Sequence, residues 1–257
     1  VNDAGALVVE GLTKIFAQRV AVDHVSFSVR RGCFFGFLGP SGAGKSTTVR
    51  MLSGLLRPTA GDAVIEDVRL SRDLLGVKRR IGLLGEDLAL YERLTGEEHL
   101  LFVARMHGLP RDEARRRTED LLDALSLAGE RGELVVDLSP GARKKLALAC
   151  TLVHNPRLVF LDGPLDEIDP VSGRVMADLL RRLVRRGVTL FFTSRLLDVV
   201  ERLCDEVAII DRGCIVAQGP MDVIQARRAH GGDVALEDVF VKLVDTDLRR
   251  EDLSWIG

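Results

Sequence analysis

From Leu7 to Gly32 apolar and polar positions alternate in two runs, LVVEGLTKIF and AVDHVSFSV, joined by a polar turn. This predicts two short strands. The next run, CFFGFLG, is apolar and aromatic without alternation, as in a strand buried on both faces. It enters a glycine-rich loop, after which KSTTVRMLSGLL has helical spacing until RPTAGD stops it. Four later apolar runs, RRIGLLG, RLVFLD, VTLFFTS and EVAIID, are separated by longer helical stretches, the rhythm of a parallel sheet. From Leu94 to Ala149 that rhythm fails. The segment, which includes RDEARRRTEDLLDALSLAG, reads as consecutive amphipathic helices inserted in an α/β core, with RDEARRR as a solvated face.

The expected organisation is therefore an N-terminal antiparallel β subdomain with the first part of the core over residues 1–93. A helical insert follows over 94–149, the remainder of the core over 150–220, and a helical tail over 221–257. At 46% hydrophobic and 29% charged residues the chain has ample apolar material for a core. Its 36 basic and 38 acidic side chains leave a net charge of -2, so no overall basic field exists to hold nucleic acid. Cys33, Cys150, Cys204 and Cys214 form no CxxC pair and have no histidine at metal-ligand spacing; reduced thiols are expected. No stretch approaches the ~18 apolar residues of a spanning helix, so attachment to a membrane is expected to go through a partner.

The chemistry sits in GPSGAGKST, Gly39 to Thr47, which satisfies GxxxxGK followed by Ser or Thr between a buried strand and a helix. Gly39, Gly42 and Gly44 let backbone N–H groups turn inward on an anion, beside the positive end of the following helix. Lys45 is then placed for the β- and γ-phosphates of a nucleotide and the Ser46 hydroxyl for Mg²⁺, with Ser41 and Thr47 completing the loop. Asp162 ends the apolar run RLVFLD, where an unpaired carboxylate is costly. A metal shared with Ser46 explains it; a helix-capping role is the plainer alternative.

These segments, from about Leu7 to Gly219, resemble the ATP-binding cassette family in order and spacing. The resemblance implies a P-loop NTPase core with a mainly parallel sheet, binding ATP and Mg²⁺. Phe16 falls at the adenine-stacking aromatic, with a core phenylalanine as the alternative. Glu86 stands at the place of a metal-ligating glutamine. LSPGARKKLALAC resembles the signature segment, with Ser139 and Gly141 retained for a partner's ATP. LVFLDGPLDEIDP resembles the magnesium strand and the loop touching the opposite subunit, of which Asp169 is the aspartate. Further implied are a head-to-tail dimer with a second cassette, and transmembrane permease subunits contacted near Glu86 to Leu100. The cassette would then lie peripherally at the cytoplasmic face of the membrane. ALEDVFVKLV resembles the tail of exporter-type subunits; nothing is read from DTDLRREDLSWIG beyond a polar tail with Trp255.

The departures from the family pattern fall on the residues that do chemistry. Gly163 stands where the family has a water-polarising glutamate, and a general base is worth ~10² to 10⁴ in rate. Arg195 stands at the switch histidine; it binds phosphate but stays charged and relays no proton. Pro140 replaces a signature glycine, removing a backbone donor, and Ala142 a glutamine. Asp166 and Glu167 occupy places that are usually small or polar. The resulting expectation is a cassette that binds Mg·ATP and hydrolyses it weakly at its own site. A heterodimer with a competent sister cassette is favoured over a homodimer, which would lack the glutamate twice. A soluble cassette acting on ribosomes or DNA is the alternative, weakened by the single cassette and the missing basic tail. A GTPase or kinase on the same loop leaves the signature-like segment unexplained.

Overall fold

The computed structural model describes residues 5–194 and 196–226, together with Leu236 and Phe240. The first two runs form β1 (Leu7–Phe16) and β2 (Arg19–Val29), paired antiparallel. The parallel-sheet runs become β3 (Phe34–Leu38), β6 (Ile81–Leu84), β7 (Leu158–Asp162), β8 (Thr189–Thr193) and β9 (Glu206–Asp211). Three further strands were not expected from the sequence: β4 (Ala60–Ile65), β5 (Val68–Arg69) and β10 (Cys214–Pro220). The first two complete a four-stranded sheet in the order β2-β1-β4-β5. The third extends a six-stranded sheet, β10-β9-β3-β8-β7-β6, in which the β9–β10 pairing alone is antiparallel.

The six-stranded sheet is the middle layer, and the run FFGFL shows how a strand buried throughout serves both faces. Successive side chains point to opposite sides. Phe35 and Phe37 therefore meet Phe27 of the antiparallel sheet, with ring centroids 5.8 and 5.5 Å away, and share that layer with Phe160 and Phe191. Phe34 and Leu38 face the other way, with Leu161 and Phe192, into the cluster built by the helices. Burial of each such side chain contributes about 1.5–3 kcal/mol.

The helices are α1 (Lys45–Leu52), α2 (Leu74–Lys78), α3 (Gly96–Met106), α4 (Arg111–Ala124), α5 (Pro140–Leu152), α6 (Pro170–Arg185), α7 (Leu197–Leu203) and α8 (Met221–Ala226). Thr95 starts α3 with a reciprocal capping box: its hydroxyl accepts the Glu98 N–H, and the Glu98 carboxylate accepts the Thr95 N–H. Leu100 and Ala104 of α3, Leu122 of α4 and Leu146 of α5 close against one another in the helical cluster. RDEARRR lies on α4, where Arg116 and Arg117 both pair with Glu113. Leu236 is buried and Phe240 packs partly buried against the same core; the remainder of ALEDVFVKLV and the tail with Trp255 lie outside the described residues. Among those residues no helix is long and apolar enough to cross a membrane.

Candidate functional site

Parallel strands deliver their following loops to one end of a sheet. The loops after β3, β7 and β8 meet there. The loop after β3 is pressed against the fold: a Cβ on Gly39 would stand 2.3 Å from the Ile210 carbonyl oxygen, and one on Gly44 2.6 Å from that of Ala21. Gly42 and Gly44 also have φ of 78° and 110°, a region side chains avoid. The Gly213 N–H donates to the Ala43 carbonyl and ties the loop to the β9–β10 turn. Helix α1 then starts with no side-chain cap and no acidic residue in its first turn, leaving its positive end to an anion. The Lys45 ammonium donates to the Gly39 and Pro40 carbonyls at 2.7 and 2.9 Å, holding its charge over the loop.

Asp162 ends β7 in register with Thr193, which ends β8. The Thr193 hydroxyl donates to Asp162 Oδ1 at 2.5 Å and accepts the Gly163 N–H at 3.1 Å. One cavity of about 610 Å³ collects Phe16, Ser41, Gly42, Gly44, Lys45, Ser46, Thr47, Glu86 and Asp162 along its walls, a size within the range of small-molecule sites. Gly39 is buried and does not line it. Phe16 is 47% exposed at the end of β1, with the Lys14 ammonium 5.1 Å from its ring centre, so the core-phenylalanine alternative fails. Arg195 lies outside the described residues.

Ser139 and Gly141 stand apart from this cavity, at the start of α5. The Ser139 hydroxyl caps α5 by accepting the Ala142 N–H at 3.2 Å. Pro140 is the first residue of that helix, where an N–H has no intrahelical partner, so the proline is neutral to the fold. Gly141 is closely approached: a Cβ there would lie 2.5 Å from Asp169 Oδ2 and 2.6 Å from Ser172 Oγ. Asp169 in turn caps α6, and the Ser172 backbone N–H holds its carboxyl below the ordinary range.

The cavity also receives Arg19, Lys144, Asp166, Glu167, Thr193 and Ser194, none of which had been assigned to it from the sequence. The one local signal was the pair of hydroxyl residues that ends VTLFFTS. Lys144 of α5 donates to the Asp166 carbonyl, and the Ser194 hydroxyl to Asp166 Oδ1 at 2.8 Å.

A nucleotide fits this donor set. The loop offers backbone N–H groups and an ammonium, and the glycines keep it clear of side chains. Ser46, Asp162 and Glu86 are hard oxygen donors on one cavity, which suits Mg²⁺. No cluster of three or more metal-ligating His, Cys, Asp or Glu occurs among the described residues, and a magnesium ion shared with phosphates and waters needs none.

Residues 22–166 match the family model described as ABC transporter. The chain belongs to that family. It is 36% identical over 253 residues to the doxorubicin resistance ATP-binding protein DrrA of Mycobacterium tuberculosis, covering 98% of this chain and 74% of that protein. It is 35% identical over 228 residues to the bacitracin transport ATP-binding protein BcrA of Bacillus licheniformis, covering 88% and 74%. Among solved structures, an ATP-binding subunit of an ABC transporter superposes with a TM-score of 0.85 at 29% identity, over 93% of this chain and 99% of the other. The fold is thus the P-loop NTPase fold of ABC ATPase domains, which bind ATP with Mg²⁺.

Proposed function

We propose that this chain is the ATP-binding subunit of an exporter. In this reading Mg·ATP closes a dimer of cassettes, closure drives separate transmembrane subunits, and hydrolysis at the chain's own site is weak. The observation that carries it is the cavity itself: the phosphate loop and Asp162 are complete, while residue 163 is a glycine at φ 61°. Phe16, Lys45, Ser46 and Asp162 would hold the nucleotide and its metal, with Glu86 beside them. Ser139 and Gly141 would face the ATP of the opposite cassette. The outward direction is supported by the names of relatives, which speak of drug resistance and bacitracin transport.

Docking of membrane subunits at the border of core and insert is supported by exposed apolar side chains there. Tyr91 and Phe102 are 57% and 41% exposed and meet edge to face at 5.4 Å, and Met106 on the same helix is 72% exposed. In this reading the cassette sits peripherally on the cytoplasmic face of the membrane, held there by its membrane subunits. A sister cassette that retains the glutamate would supply the turnover that resets the dimer, so a heterodimer is favoured.

Calorimetry and steady-state turnover on the purified chain test the reading. Mg·ATP should bind, Lys45→Ala should abolish binding, and turnover should fall at least ~10²-fold below the common enzyme value of about 10 s⁻¹. Turnover at that common value, or binding indifferent to Lys45, refutes it. Cross-linking in the native complex tests the pairing: exclusively self-paired chains would exclude the heterodimer.

A further inference from the structure

We infer that Asp166 is the base for whatever ATP hydrolysis this site performs; the inference rests on reading the cavity as an ATP site. The loop after β7 turns back on itself, with the Asp166 N–H donating to the Gly163 carbonyl at 3.2 Å. That turn lays the Asp166 side chain over position 163. A Cβ built on Gly163 would lie 3.2 Å from Asp166 Oδ2 and 3.6 Å from its Cγ. The carboxylate of residue 166 therefore occupies the space into which a side chain at 163 would project.

Its orientation is fixed from two sides. Ser194, itself 3% exposed, donates its hydroxyl to Oδ1 at 2.8 Å, and Lys144 holds the Asp166 carbonyl. Oδ2 is the oxygen left facing position 163, within the cavity that also contains Lys45, Ser46 and Asp162. The other carboxylates there suit the task less well. Asp162 is engaged by Thr193 and is the expected metal ligand. Glu86 and Glu167 are exposed, the latter on a backbone at φ 55°.

The step balances without a further reactant. The oxygen of a water molecule bonds to the γ-phosphorus, and the bond from that phosphorus to the β,γ-bridging oxygen breaks, its electron pair leaving with ADP. The proton lost by the water passes to Asp166 Oδ2 and from there to solvent.

The test compares the full chain with Asp166→Asn, Asp166→Glu and Ser194→Ala, measuring turnover and equilibrium Mg·ATP affinity together, with thermal melts to verify folding. Asp166→Asn should reduce turnover to the Lys45→Ala background, a loss of about 10²-fold or more. Its Mg·ATP affinity should hold or tighten, because a negative charge beside the phosphates is gone. Asp166→Glu should keep part of the turnover, and Ser194→Ala should lose about tenfold at unchanged affinity. Wild-type turnover in Asp166→Asn, or a parallel fall of turnover and affinity, overturns the inference. So does a wild-type chain that binds Mg·ATP but turns over no faster than Lys45→Ala, which leaves the ATP site standing. Absence of Mg·ATP binding would remove both.

Discussion

Thr193 and Asp162 are locked together at the ends of neighbouring strands: the threonine hydroxyl donates to the carboxylate at 2.5 Å while accepting the N–H of Gly163. One side chain thus orients the expected metal ligand and pins the first residue of the following loop. Thr193→Val keeps the shape and removes both bonds, although the Gly163 N–H retains the Thr193 carbonyl. The expected results are a stability loss of about 1–3 kcal/mol and a higher Mg²⁺ requirement for nucleotide binding. Urea unfolding and a Mg²⁺ titration at fixed ATP check the two effects separately.

Gly163 cannot simply be exchanged for a glutamate. At φ 61° a residue with a Cβ costs roughly 1–2 kcal/mol, and a carboxylate there would crowd that of Asp166. Gly163→Ala should destabilise by about that backbone cost, Gly163→Asn by less, since asparagine tolerates the left-handed region. Gly163→Glu should be the least stable of the three and should not raise turnover to the ordinary enzyme range. Denaturant midpoints of the series, with turnover alongside, decide this.

Phe16 is exposed at a strand end, so its removal should leave the fold almost untouched. Phe16→Ala is expected to change stability by less than about 0.5 kcal/mol. Loss of base stacking, worth about 1–3 kcal/mol, should weaken ATP binding roughly 5- to 150-fold while affecting inorganic triphosphate little. Equal losses for both ligands would show that the ring does not meet the adenine.

The folded chain should lose stability on mild acidification through His154. Its ring stacks on His107 at 3.8 Å, Nε2 donates to the Ile81 carbonyl at 2.8 Å, and Nδ1 is buried without a hydrogen-bond partner. Burial, followed by the nearby His107 and Arg117, pushes the imidazole down to about 4. The unfolded chain takes up a proton near pH 6.5 and the folded chain does not. The contribution is therefore complete above about pH 6.5 and is lost as pH falls from there through 4. Between pH 7.5 and 5 it should diminish by about 2 kcal/mol, and His154→Gln should remove most of that difference in urea unfolding.

How much was legible in the sequence depended on whether a feature is local. The buried strand β3, the phosphate loop and α1 were readable because an unbroken apolar run, glycine spacing and helical period all lie within one short segment. Strand β10 was missed although its turn is local: Arg212 and Gly213, at φ 46° and 84°, form a two-residue hairpin loop to β9. Its strand residues are largely half-exposed and give a weak pattern. Strands β4 and β5 were hidden because RPTAGD reads as a stop, whereas pairing with β1 draws Ala60–Ile65 into a strand and β5 then pairs with β4.

The sequence by itself determined the phosphate loop, the carboxylate that ends RLVFLD and the absence of a side chain at position 163, since each is a matter of residue type and near-neighbour spacing. It did not determine what fills the space beside Gly163. Lys144, Asp166 and Ser194 come from a helix, a loop and a strand end, and hydrogen bonds between them form only when parallel pairing brings β7 and β8 into register. Which carboxylate faces the phosphate site is therefore a property of the tertiary structure: it is set by a backbone turn at positive φ and by the buried hydroxyl of Ser194, just beyond the end of β8.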